Sequence, residues 1–298
     1  MVEYLIRLLK NDYKVGVLSR GYKRKTRGYA LADEKTTALD IGDEPMQFHL
    51  KYPEIPIAVG EERLEAIPQM LHDRPETEVI LLDDAFQHRR ITAGLNILLT
   101  DYNNLFTRDF YLPTGDLRDL RSGYKRAQII VVTKCPPALS TEEKERIRVE
   151  INPLPGQPVF FTAIEYGQPY HIISKEAIDI NSRTEVLLVS GIANPRPLEK
   201  LLEKYCYSYH ALHFSDHHIF TIDDIRDISK RFRELDAANK IILTTEKDAV
   251  RLIKFNAEIR DMPFFVIPVR HHFLFNEGEA FDRQVTGFIS QFEKPGKN

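Results

Sequence analysis

Six short apolar runs punctuate the chain: KVGVLSRGY (14–22), EVILLDD (78–84), LNILLTD (95–101), QIIVVTK (128–134), EVLLVSG (185–191) and KIILTTEKD (240–248). Each stops abruptly at small, polar or charged residues. A strand with one wet face alternates apolar and polar positions, whereas an unbroken apolar run is covered on both faces. The runs therefore predict parallel strands sheathed by helices. Helical periodicity fills the intervals, over 61–71 and 141–151 in the first half and over 196–205 and 222–239 in the second. The chain also opens in a helix, with Val2, Leu5, Ile6 and Leu9 on one face and Glu3, Arg7 and Lys10 on the other, and no capping residue ahead of it. Strand–helix alternation over the whole length predicts an α/β architecture with ligands at the carboxyl ends of the strands.

Residues 152–183 break this grammar. Four prolines and two glycines separate the short extended pieces VFFTAIEY and PYHIIS, with no long helix. The shift predicts a β-rich linker over 152–183 between an α/β domain over 1–151 and a smaller one over 184–298. The polar residues 294–298 read as a frayed tail.

Composition narrows the class. The 41 Lys and Arg nearly balance the 44 Asp and Glu, which argues against a general nucleic-acid binder. The two cysteines, Cys135 and Cys206, are too few for a disulfide framework and point to a reducing compartment. No apolar stretch nears the roughly 18 residues that span a bilayer, so membrane contact would be peripheral.

Four places concentrate chemistry. Asp83 and Asp84 end an apolar strand, where paired carboxylates suit a hard cation such as Mg²⁺, and Gln87, His88, Arg89 and Arg90 crowd donors beside them. Two solvated acids capping a strand are the plain alternative. Asp43 sits in Gly42-Asp43-Glu44-Pro45, which reads as a tight turn fixing one carboxylate; most such aspartates are structural. His210, His213, Asp216, His217 and His218 offer either an Asp–His acid–base unit or, with less support from their spacing, a zinc site. Arg118, Arg121, Lys125 and Arg126 crowd the LPTGDLRDLRSGYKRA segment (112–127) and suit phosphate oxygens, although a solvated basic loop has the same composition.

In this order the segments resemble the tetraacyldisaccharide 4′-kinase (lipid A 4′-kinase) family. The resemblance is carried by GVLSRGY (16–22), GDEP (42–45), LLDDAFQHR (81–89), LPTGDLRD (112–119), VVTKCP (131–136), SGIANP (190–195), FSDHHIF (214–220) and TTEKDAVRL (244–252). It implies a P-loop-NTPase-like parallel sheet domain with a second α/β domain. It also implies ATP-dependent phosphorylation of the 4′-hydroxyl of a tetraacylated glucosamine disaccharide at the cytoplasmic face of a bacterial inner membrane. Residue by residue, Asp43 corresponds to the general base, with His217 its partner and Asp216 adjacent. Asp83 and Asp84 correspond to a Mg²⁺-binding pair, beside Gln87 and His88 on the nucleotide side. Arg118 and Asp119 correspond to the family's Arg-Glu pair, and Lys134 to a nucleotide contact.

Three departures stand out. Ala85 replaces the usual glycine, and Asp119 replaces glutamate, keeping the charge but shortening the reach. No GxxxxGK[ST] phosphate loop occurs in the chain, which implies weak ATP binding. Two other readings follow from these features: a non-catalytic remnant that binds the lipid disaccharide, and a metal-dependent hydrolase built on the histidines.

Overall fold

The computed structural model describes residues 1–292; the tail expected over 294–298 lies outside the described residues. The chain runs α1 (Val2–Leu9), β1 (Val15–Ser19), β2 (Ala30–Leu31), α2 (Ala38–Ile41), α3 (Asp43–Lys51), β3 (Ile57–Val59), α4 (Arg63–Asp73), β4 (Val79–Leu82) and β5 (Ile97–Asp101). It continues through β6 (Ile129–Cys135), α5 (Thr141–Ile151), β7 (Val159–Tyr166), β8 (Tyr170–His171), β9 (Glu185–Ser190), α6 (Arg196–Tyr205) and β10 (Ser208–His213). The last third holds α7 (Ile222–Arg233), β11 (Lys240–Thr245), α8 (Glu246–Leu252), α9 (Asn256–Ile259), β12 (Phe264–Ile267), β13 (Val269–Phe273) and α10 (Gly278–Ser290).

All six apolar runs are strands; β1, β6, β9 and β11 are covered on both faces as expected, whereas β4 and β5 are covered only in part. The chain divides into two α/β units, but not as contiguous blocks. One comprises Met1–Arg20, Ala58–Glu165 and Arg270 onward; the other comprises Gly21–Ile57 and Tyr166–Val269. The boundaries expected at 151 and 184 are therefore corrected. The segment read as a linker contains β7, a core strand of the first unit with Phe160 and Phe161 buried, paired in parallel with β6. Its prolines and glycines flank that strand rather than marking a hinge. The carboxyl-terminal α10 also returns to the first unit, burying Phe281 and Val285.

In the first unit β3, β1 and β4 are neighbours in that order, and a second set runs β13-β7-β6-β5. β1 is buried throughout, but β4 is only half-buried and Leu99 on β5 is 45% exposed. The cause is geometric: among the described residues β4 pairs only with β1, and β5 only with β6. Both line one cavity of about 1200 Å³, shared with Leu5 and Leu9 of α1 and Val285, Phe288 and Ile289 of α10. The cavity is thus a slot lined by the edges of β4 and β5, in a unit whose β1–β4, β5–β6 and β6–β7 pairs are parallel.

The second unit is a five-stranded sheet, β10-β9-β11-β12-β8, parallel except for the β8 edge. Alternation along β9 sends Leu187 and Val189 to one face, where they pack with Ile225 and Ile228 of α7. Val186 and Leu188 go to the other, against Leu198 and Leu202 of α6. The 222–239 helix stops at Arg233, and Thr221 and Asp224 form its capping box.

Candidate active site

The second unit assembles an acid–base cluster from three loci: the start of α3, the loop after β10, and α8. Gly42, at φ 92°, turns the chain into α3, so that Asp43 is the first residue of a helix rather than part of an isolated turn. A Cβ there would lie 3.0 Å from the Tyr22 carbonyl, so only glycine fits without strain. Asp216 and His217 follow the carboxyl end of β10, and α8 starts directly after β11 with Thr245 as its cap. The carboxyl ends of these parallel strands thus deliver the cluster, as open α/β sheets generally do.

Arg251 of α8 is buried and grips Asp43: Nε donates to Oδ1 at 2.7 Å, and Nη2 pairs with Oδ2. His217 Nδ1 lies 2.9 Å from Asp43 Oδ2. On the other side of the ring, Lys247 Nζ is 3.2 Å from Nε2 and 2.9 Å from Asp216 Oδ1. His217 holds φ +63°, a left-handed backbone uncommon outside glycine, so the loop spends strain energy to aim this ring. Burial pulls the Asp43 carboxyl up, but hydrogen bonds from Arg251 and His217, with the charge of Arg251, outweigh it and hold it below the usual carboxylate range. Asp43 is therefore ionised at neutral pH. Burial likewise raises Asp216, and Lys247 more than offsets it.

The other histidines do not join this cluster. His210 faces Glu185, His213 faces Glu199, and His218 faces Asp224. Among the described residues no three His, Cys, Asp or Glu side chains converge as a metal site. The alternative of a histidine-borne zinc centre has no geometric support, because each imidazole is spent on a different carboxylate.

The first unit gathers the second set of candidates. Asp83 follows β4; Ser19, at the end of the neighbouring β1, donates to its Oδ2 at 3.0 Å. Loss of water pushes the Asp83 carboxyl up, and neighbouring Asp84 adds to the rise. Asp84 is exposed, at φ +45°, and pairs with both amino groups of Arg118 at 2.7 and 3.1 Å. Asp119 is held by Arg126 at 2.7 Å and by Arg89 at 2.5 Å. His88 Nε2 is buried without a hydrogen-bond partner among the described residues, while Gln87 is exposed. Lys134 stands at the end of β6 and pairs with Asp101 at 2.7 Å.

The two clusters carry the residue types of phosphoryl transfer to a hydroxyl. Comparison with known proteins identifies the family. The model of the family described as tetraacyldisaccharide-1-P 4′-kinase matches residues 1–289. The chain belongs to this family. The tetraacyldisaccharide 4′-kinase of Bacteroides thetaiotaomicron is 43% identical, over 97% of this chain and 80% of that protein. The corresponding protein of Parabacteroides distasonis is 45% identical over 88% of this chain and 71% of its own length. The crystal structure of the "apo" form of LpxK from Aquifex aeolicus in complex with ATP superposes with a TM-score of 0.70 at 27% identity, covering 97% of this chain and 82% of that one.

Within this member of the tetraacyldisaccharide 4′-kinase family, Lys247 and Arg251 escaped the sequence reading of single residues. The signal was present: two cations four apart directly after a strand end, within TTEKDAVRL. Ser19 and Arg63 were also missed. Arg63 is almost wholly buried, and its guanidinium bonds the carbonyls of Gly60 and Asp83, fixing the turn after β4.

The Asp43 clamp makes stability pH-dependent in a definite direction. Because the folded protein holds this carboxyl below its ordinary value, the contribution is complete above about pH 4. It is lost as pH falls through the lowered folded value. Asp43→Asn should cost about 1–3 kcal/mol at neutral pH, and the deficit should shrink on acidification. Urea unfolding of both proteins across a pH series measures this. A deficit that stays constant from neutrality into acid would show that the clamp does not carry the dependence.

Proposed function

We propose that this protein transfers the γ-phosphoryl group of ATP to the 4′-hydroxyl of a tetraacylated glucosamine disaccharide bearing a 1-phosphate, the lipid A precursor. The observation that carries the reading is the Asp43–His217–Arg251 grouping in a member of this kinase family. A sugar hydroxyl is a weak nucleophile, and a fixed carboxylate can accept its proton as the bond to phosphorus forms. Asp43 fills that role, with His217 bonded to it and Arg251 fixing its orientation. Since the carboxylate is ionised but held low, it takes the proton late, which suits a loose phosphoryl-transfer transition state.

Asp83 and Asp84 would hold Mg²⁺. Two hard oxygen donors at a strand end suit a cation that keeps several waters and needs only one or two carboxylates. When bound, the metal neutralises charge on the phosphate oxygens. Arg118, beside Asp84, adds a guanidinium to the same region, and Asp119 keeps Arg89 and Arg126 in place. Gln87, the unpartnered His88 Nε2 and Lys134 serve the nucleotide. A phosphate cradle still requires successive backbone N–H donors, and the slot lined by β4 and β5 supplies the place for it. A strand and glycine-rich loop supplied there, beside Asp83, would complete the nucleotide site.

The test compares residues 1–298 with a polypeptide that adds such a strand and loop ahead of α1, both given MgATP and the tetraacylated disaccharide 1-phosphate. The longer polypeptide should bind MgATP orders of magnitude more tightly by calorimetry. It should also place one phosphate on the 4′-oxygen by NMR of the product. Equal binding by both would overturn the slot reading. Tight ATP binding with no transfer would favour a lipid-binding protein over a kinase.

A lipid acceptor requires access to a membrane surface, and no helix among the described residues is long and apolar enough to cross one. We assign peripheral contact to the 110–120 loop. It exposes Phe110 by 64%, Leu112 by 61% and Leu120 by 59%, with Lys125 and Arg121 nearby for anionic headgroups. The contact would be with the cytoplasmic face of the inner membrane. Vesicles containing phosphatidylglycerol should co-sediment the protein, and Phe110→Ser with Leu112→Ser should reduce the bound fraction severalfold. Unchanged sedimentation of that variant would remove the loop from the assignment.

A further inference from the structure

The His217 ring is bracketed by charge on every side. Asp43 of α3 and Arg251 of α8 face Nδ1, at 2.9 and 2.8 Å. Lys247 of α8 and Asp216 of the same loop face Nε2, at 3.2 and 3.6 Å. Tyr22 meets the ring edge-on with centroids 6.2 Å apart, and Lys23 adds positive charge at Asp216.

The two closest demands on the ring nitrogens, from Lys247 and Asp43, select one protonation state. An ammonium can only donate, so Lys247 needs a lone pair on Nε2. Asp43 Oδ2 can only accept, so it needs a hydrogen on Nδ1. Both are met by one species, the neutral imidazole protonated at Nδ1. The opposite tautomer would set an N–H against the Lys247 ammonium and a lone pair against the Asp43 carboxylate. Asp216 at 3.6 Å and the Arg251 Nη2 at 2.8 Å from Nδ1 would favour it, but Asp216 already accepts from Lys247, and the same Nη2 already donates to Asp43 Oδ2 and does not need the ring as an acceptor. Protonating both nitrogens would leave an imidazolium between an ammonium and a guanidinium.

We propose that Lys247 is a positioning residue: by donating to Nε2 it holds His217 as the neutral Nδ1–H tautomer, with its proton aimed at Asp43. The functional consequence rests on the reading of Asp43 as proton acceptor; the tautomer does not. A neutral donor at Oδ2 leaves the carboxylate able to take up the hydroxyl proton. An imidazolium there would form a second salt bridge beside Arg251 and make Asp43 a weaker base. The ion pair of Lys247 with Asp216 keeps the ammonium on station.

The experiment is nitrogen-15 NMR of the imidazole side chains in the 298-residue protein at neutral pH, without nucleotide or lipid. Loss of signals in His217→Gln identifies the ring. Wild type should show Nδ1 protonated and Nε2 bare. In Lys247→Met, Nε2 should acquire a proton in most molecules, and Lys247→Arg should restore the wild-type pattern. Backbone amide spectra report whether each variant folds. An Nε2–H tautomer in the wild type, which needs no variant, overturns the inference, as does an unchanged ring in a folded Lys247→Met. Either result leaves the kinase reading standing. A failed phosphorylation assay conversely leaves the tautomer untouched.

Discussion

A parallel strand covered by helices on both faces has nowhere along its length for a charged side chain. Its chemistry must collect where the strand ends. β1 and β9 are buried throughout, and β6 and β11 nearly so, and the residues that matter stand immediately beyond or at the strand termini: Ser19, Lys134, the 214–220 loop and α8. The same constraint explains why the polar clusters are tight. Each strand end offers only a few positions, and neighbouring parallel strands bring those positions side by side.

The second unit turns this crowding into a held charge. Asp43 would be a costly group to bury alone. Arg251, itself only 8% exposed, satisfies both carboxylate oxygens and also bonds the His218 carbonyl. One guanidinium thereby ties the start of α3 to the loop after β10. Asp43 has two neighbours of different character, a permanent cation and a titratable ring. The first keeps the carboxylate ionised, and the second lies within hydrogen-bond distance of its Oδ2. In the first unit the carboxylates are poised differently. Asp83 is pushed towards its neutral form by lost solvation, and Asp84 is compensated by Arg118 at the surface.

Much of the sheet was legible in the sequence because double-sided burial leaves an unambiguous apolar run. Helices were legible too: Thr141–Ile151, capped by Ser140, and Arg196–Tyr205 fall where periodicity puts them. The unit boundaries were not legible, because a boundary depends on where a chain returns. Nothing local in 270–290 says that this segment rejoins the first unit, and the prolines around β7 mimic a linker. Of the candidate residues read from the motifs, the structure brings Asp43 and His217 within 2.9 Å and sets Asp83 and Asp84 together after β4. α3 was obscured by Gly42 and Pro45, which are turn formers but here serve as a helix entry and a first-turn residue. Arg251 was hidden for a different reason. A buried arginine looks like any helical arginine until its partner, 208 residues away, is known.

The central claim is that Asp43 and His217 act as one acid–base unit. Single-turnover phosphorylation of the disaccharide, with the β4–β5 slot filled, tests it through Asp43→Asn, His217→Gln and the double variant. Residues that share one task are far from additive. The account predicts that each single variant loses orders of magnitude in rate and that the double variant is scarcely slower than the worse single one. Losses that multiply in the double variant would contradict it, because the two side chains would then be doing separate jobs.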